Sequence, residues 1–171
     1  MTDVQPKVLS LVALADSAVG RLEASADLTI RPWTVTGALA DPSELAGELV
    51  AVGHTALFIE ADFVLRETFE AAPGLRFVGV CRGDLGHVDL EAATESGALV
   101  VHTPGRNASA VAEVTVGLML ALLRRIPAAA AYVAEGRWDD PVDAYTAFRG
   151  AELGDQVVGV IGLGSIGRET V

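Results

Sequence analysis

Apolar residues enter this chain in short blocks divided by turn residues, and the blocks alternate between two periodicities. Val8–Leu14 is a continuous apolar run, the pattern of a strand buried on both faces. A helical pattern follows from Ser17 to Ser25. Leu28–Val35 reads as a second strand that Pro32 confines to a sheet edge or ends early. The next helix is well marked: Asp41 is a suitable N-cap, Pro42 fits the first helical position, Glu44 stands three residues after the cap, and Gly53 stops it. Ala56–Ala61 predicts a strand, Leu65–Ala72 a short helix ended by Pro73-Gly74, and Arg76–Cys81 another strand. Asp89 caps a helix through Ser96 with Gly97 at its C-terminal stop, and Ala98–His102 predicts a fifth strand closed by Thr103-Pro104-Gly105. Strands alternating with helices predict a doubly wound parallel sheet of flavodoxin-like type.

Beyond Gly105 the texture changes. Val111, Val114, Leu118, Leu122 and Ile126 recur at helical spacing and predict a long amphipathic helix from Ser109, which Pro127 kinks or interrupts; Ala128–Glu135 resumes it. A connection containing Trp138, Pro141 and Phe148 then leads to Gln156–Ile161, a predicted last strand, and to Gly162-Leu163-Gly164-Ser165-Ile166-Gly167. The expected division is residues 1–103 and residues 104–171.

Composition narrows the function classes. Twelve basic against 23 acidic residues give a formal net charge of −11, which argues against a nucleic-acid partner because phosphate repels such a surface. The apolar run Val114–Leu123 is well short of the roughly 20 residues a bilayer requires, so no membrane partner is expected. Met1–Lys7 has no basic run leading into an apolar segment, and Cys81, the one cysteine, forbids an internal disulfide and a Cys-rich zinc site. The expectation is a cytoplasmic α/β protein without a metal.

The glycine pattern carries the clearest chemistry. VVGVI before it reads as a strand and SIGRETV after it can open a helix, the setting a dinucleotide fingerprint requires. There Gly162 permits the tight turn, Gly164 removes the side chain that would block a pyrophosphate, and Gly167 allows close packing. The helix-start N–H groups at Ser165 and Ile166 then face the phosphates. An ordinary glycine-rich strand–helix turn has the same local sequence.

The order of segments resembles the N-terminal half of the D-isomer-specific 2-hydroxyacid dehydrogenases. AAPGLRFVGVCRG, VDLEAATESGALVVHTPGRNASAVAEVTVGLMLALLRRIPAA, GRW at 136–138 and ELGDQVVGVIGLGSIGR carry it. The resemblance implies a flavodoxin-like substrate domain followed by the start of a Rossmann NAD-binding domain. It also implies hydride transfer between a small 2-hydroxy or 2-keto acid and NAD, with NADP left open, and a homodimer formed around the long helix. The family's catalytic arginine, carboxylate and histidine are expected beyond this chain, so no catalytic residue is assigned within it. The alternative is a short non-catalytic binding or oligomerisation module of the same ancestry.

What carries over residue by residue is limited. Gly83 matches a position contacting cofactor or substrate, and Asp89 the helix-capping acid. Asp84 replaces a usual glycine next to the substrate, and a carboxylate there repels an anion unless a partner such as Arg82 neutralises it. Asn107 matches a position near the substrate, and Val111 one near the nicotinamide. His87 stands where asparagine is common, and Glu60-Ala61 where relatives carry an Arg-Ser pair. These departures, with Asp84, count against standard phosphoglycerate specificity. His54, on a turn after Gly53, and His102, at the end of a buried strand, are expected to be structural.

Overall fold

The computed structural model describes residues 5–138 and 140–171, and the chain divides into two compact units, one ending at Pro104 and one running from Gly105 to Val171.

The first unit contains β1 (Lys7–Ser10), α1 (Asp16–Glu23), β2 (Asp27–Ile30), α2 (Trp33–Thr36), α3 (Pro42–Val52), β3 (His54–Ile59), α4 (Arg66–Ala71), β4 (Phe77–Val80), α5 (Leu90–Ser96) and β5 (Leu99–His102). All strand pairs are parallel and the sheet order is β2-β1-β3-β4-β5. That is the flavodoxin-like order, with the reversal of winding between β1 and β3. One sheet face, formed by Leu9, Leu57, Ile59, Val78 and Val80, packs with Leu45, Leu49, Phe69, Leu75 and Ala92 into a single core. The expected fold class is therefore the observed one.

Local chemistry explains the boundaries. The Asp41 carboxylate accepts from the Ser43 hydroxyl and from the Ser43 and Glu44 N–H groups at the start of α3, and these bonds, the hydroxyl's foremost, hold its pKa below the usual value. Gly53 ends α3 at φ 79°, a left-handed value that costs glycine little. The second predicted strand stops at Ile30, on the sheet edge. Pro32 then opens the short helix α2, so Trp33–Val35 is helical rather than extended.

Two other expectations in this unit change. His54 is not on a turn; it is the first residue of β3 and only 3% exposed. The fifth strand is not buried: β5 is the far edge of the sheet, with Leu99 60% exposed and His102 exposed.

The second unit contains α6 (Ala108–Leu123), α7 (Ile126–Ala134), α8 (Pro141–Ala147), a 3₁₀ turn at Leu153–Asp155, and α9 (Ser165–Thr170). The chain bends by 63° between α6 and α7, where Arg125 takes a left-handed φ of 54° and its guanidinium donates to the Ala147 carbonyl at 2.9 Å. The break precedes Pro127, which sits in the first turn of α7, where a missing N–H costs nothing. The expected connection after Gly136 contains α8, capped by the Asp140 carboxylate on the Val142 N–H.

Gln156–Ile161 forms no strand. A strand is held by its neighbours, and among the described residues none pairs with it; Val157 and Ile161 are fully exposed. The predicted stripe on the long helix is likewise uncovered, with Val114, Leu118, Leu122 and Ile126 each more than half exposed.

Candidate functional site

In the first unit, the loop following β4 stands at the carboxyl ends of the strands, where ligands bind in open α/β sheets. Its course is fixed by backbone bonds. The Cys81 N–H donates to the Ile59 carbonyl at 2.7 Å, and the Thr103 N–H to the Arg82 carbonyl at 3.1 Å. His102 Nδ1 lies 3.0 Å from the Gly83 carbonyl, which can only accept, so the ring donates from Nδ1. At the far end of the loop, Val64 and Val88 form a parallel bridge: the Val64 N–H donates to the His87 carbonyl at 3.0 Å and the Asp89 N–H to the Val64 carbonyl at 2.9 Å. The Asp89 carboxylate then caps α5 on the Ala92 N–H at 2.9 Å.

Gly83 and Asp84 therefore sit together, exposed, on a loop tethered at both ends. No ion pair joins Asp84 to Arg82 among the described residues. His87 points inward instead. It is 6% exposed, its two ring nitrogens have no hydrogen-bond partner among the described residues, and its ring meets Phe63 edge-on. Burial lowers its pKa, assisted by Arg82 and opposed by Asp84 and Asp62. Burial likewise lowers that of His54. An enclosed imidazole is a packing group, which is the structural role expected of His54. The sequence reading did not find that His102 holds the Gly83 carbonyl in place.

In the second unit, the glycine pattern folds as a turn into α9. Gly162 has φ 89°. Gly164 precedes the first residue of α9 with nothing within 4 Å of where a Cβ would stand, whereas a Cβ at Gly167 would collide with the Gly162 carbonyl. One glycine thus makes the turn, one leaves open space before the helix, and one lets the helix close against the turn. The initial N–H groups of a helix have no partner within it, and here they adjoin the space at Gly164. The turn lines a hollow of about 520 Å³ together with Thr115 and Met119 of α6. Gly105 completes the surroundings, since a Cβ there would stand 3.2 Å from Ser165 Cβ. Thr115, Met119 and Gly105 were not singled out from the sequence, although the four-residue spacing of Thr115 and Met119 places them on one helical face.

Asn107 and Val111 lie apart from the lining of that hollow. Asn107 takes the N-cap position of α6 but its side chain makes no capping bond and is exposed; Val111 is half-buried on the first turn. Among the described residues no group of three or more His, Cys, Asp or Glu is placed to hold a metal, and no single helix is long and apolar enough to cross a membrane.

A flavodoxin-order sheet together with a helical unit that ends in a glycine turn defines the class: a doubly wound α/β protein. Residues 8–168 match the family model described as D-isomer specific 2-hydroxyacid dehydrogenase, catalytic domain, and the chain belongs to that family. The Bacillus subtilis protein YoaD is 42% identical over 137 residues, covering 80% of this chain and 40% of its own length. D-3-phosphoglycerate dehydrogenase of Methanocaldococcus jannaschii is 43% identical over 108 residues, covering 63% of this chain and 20% of its own. A Polaromonas protein described as a D-isomer specific 2-hydroxyacid dehydrogenase, NAD-binding, superposes with a TM-score of 0.80 at 27% identity over 96% of this chain and 50% of that one. The chain spans half or less of the length of each of these relatives.

Proposed function

We propose that this chain forms the N-terminal portion of an oxidoreductase that moves a hydride between a 2-hydroxy acid, or its 2-keto acid, and a nicotinamide dinucleotide. The observation that carries the reading is the division of labour among Gly162, Gly164 and Gly167 within a chain of this family. The dinucleotide, NAD or NADP, would supply the hydride acceptor when oxidised and the hydride donor when reduced.

The chain's own contribution is positioning. The Ser165 and Ile166 N–H groups receive the pyrophosphate at the start of α9, with the open side of Gly164 letting backbone and phosphate approach. Thr115 and Met119 shape one wall of the hollow. In the first unit Gly83 presents backbone to the substrate and Asp84 stands beside it; in the second unit Asn107 is the expected substrate contact and Val111 the expected nicotinamide contact.

The Polaromonas relative is described as NAD-binding, which supports the cofactor class. The family's arginine, carboxylate and histidine belong to the part of the relatives that this chain does not span. The exposed apolar run at residues 157–161 supports the same reading, because parallel strands on either side would cover it. A homodimer built on the uncovered apolar face of α6, acting in the cytoplasm, completes the proposal.

The test is NAD(P)H binding, and reduction of a panel of 2-keto acids, by this chain continued to the length of its relatives. Saturable binding and turnover are expected. Failure of both, in a folded preparation, would overturn the proposal.

A further inference from the structure

A second cavity lies wholly within the first unit and owes nothing to the glycine turn. It occupies about 200 Å³ and is lined in part by Leu11 just after β1, Trp33 of α2, Leu39, and Asp62 just after β3. Winding reverses between β1 and β3, and the crevice at the carboxyl ends beside such a reversal is where open α/β sheets hold ligands.

Two residues lining this cavity each carry a buried polar atom without a hydrogen-bond partner among the described residues. Asp62 is completely buried; its Oδ1 accepts from the Ala40 N–H at 2.9 Å while Oδ2 accepts from nothing. The indole Nε1–H of Trp33 is buried and donates to nothing. A buried carboxylate oxygen and a buried indole N–H are each costly to leave unpaired.

Charge then selects the occupant. Four carboxylates line the cavity, those of Asp41, Glu44, Glu48 and Asp62, against one guanidinium, Arg31. Arg31 is paired to Glu48, and Asp41 is engaged in capping α3. Glu44 and Asp62 remain without an ion pair among the described residues. An anion would meet this excess directly, whereas an ammonium group would offset it and donate to Asp62.

We infer that this cavity is a binding site for a small organic ammonium compound that also carries a hydrogen-bond acceptor. The ammonium donates to Asp62 Oδ2, the acceptor receives the Trp33 N–H, and the methylenes between them lie against Leu11, Leu39 and Leu45. At ~30 Å³ per water the volume admits about six non-hydrogen atoms.

The experiment titrates the whole chain, carrying Trp138→Phe so that Trp33 is the only fluorophore of its kind, with three probes of equal size: aminobutanol, butanediol and butyrate. Aminobutanol is expected to bind saturably and change Trp33 emission, with the neutral and anionic probes at least about tenfold weaker, as expected for a charge-assisted bond. Asp62→Asn retains an acceptor for Ala40 and is expected to lose about tenfold in aminobutanol affinity. Ala38→Leu fills the cavity from an exposed loop position, preserves every charge, and is expected to abolish binding. Should Asp62→Asn fail to fold, Ala38→Leu decides. Equal affinity for the three probes, no binding of aminobutanol, or unchanged binding in folded Ala38→Leu would each overturn the site. None of these outcomes bears on the dinucleotide reading, which rests on the other unit.

Discussion

Replacing Asp89 with alanine removes an acceptor that the structure uses in one well-defined way, so its cost can be worked out. The carboxylate takes the Ala92 N–H at 2.9 Å as N-cap of α5, and losing such a cap costs about 1 kcal/mol. Its charge also faces the positive end of α5, worth roughly 0.3–1 kcal/mol at an exposed site. The ion pair with Arg66, 3.8 Å away, adds little: both groups are about one-third exposed, and Arg66 keeps Glu95 at 2.6 Å and Glu91 at 3.7 Å. The sum for Asp89→Ala is about 1.5 kcal/mol. Asp89→Asn keeps an oxygen for the Ala92 N–H and loses only the charge, so it costs about 0.5 kcal/mol. Urea unfolding followed by far-ultraviolet circular dichroism separates the two, with an unchanged slope showing that the same unit unfolds. In a unit of this size Asp89→Ala lowers Tm by roughly 6 °C or more. The bridge between Val64 and Val88 uses backbone alone, so it persists in both variants. Equal losses in the two variants, or none in Asp89→Ala, would refute the capping argument.

Three further outcomes are expected. His54 and His87 have pKa values lowered by burial below 6.5, so the unfolded chain takes up protons first as pH falls. Their contribution to stability is complete above pH 6.5 and declines as pH drops toward their folded values; denaturant midpoints between pH 7.5 and pH 5 should fall, and His87→Leu should flatten the curve, while an equally steep decline in that variant would remove His87 from the cause. Gly167→Ala sets a methyl group against the Gly162 carbonyl, so in the chain continued to the length of its relatives it should weaken NAD(P)H binding at least about tenfold, since a misplacement near 1 Å costs on that order or more; unchanged affinity would separate the turn from cofactor binding. Leu118 is 65% exposed on α6, and an uncovered apolar face favours association; sedimentation should show a dimer or larger species that Leu118→Glu dissociates, and a monomeric parent chain would contradict this.

The first unit was legible in the sequence because each strand there is bounded by its own punctuation: Asp41 with Pro42, Gly53, Asp89 and Gly97 act where they stand in the chain. Trp33–Val35 was misread because its β-branched residues favour extension, while Pro32 starts a helical turn that no apolar period announces. The run at residues 156–161 was misread for a different reason. Its pattern is that of a buried strand, but strands are made by neighbours, and none of the described residues supplies one. The role of Gly167 was visible from spacing, whereas the approach of Gly105 to Ser165 joins residues sixty apart in sequence and has no local signature. The cavity beside Asp62 was hidden similarly, since it gathers α2, α3 and the segments just after β1, β2 and β3 only once the sheet order is known.

The most direct measurement is consumption of NADH and NADPH, in the presence of 2-keto acids, by the chain continued to the length of its relatives, alongside the same protein bearing Gly164→Trp. The open space at Gly164 predicts turnover of at least one cofactor in the parent and its loss, through weakened cofactor binding, when the indole fills that space. A folded parent that consumes neither cofactor, or a Gly164→Trp protein that binds and turns over as the parent does, would contradict the assignment of this turn to the dinucleotide.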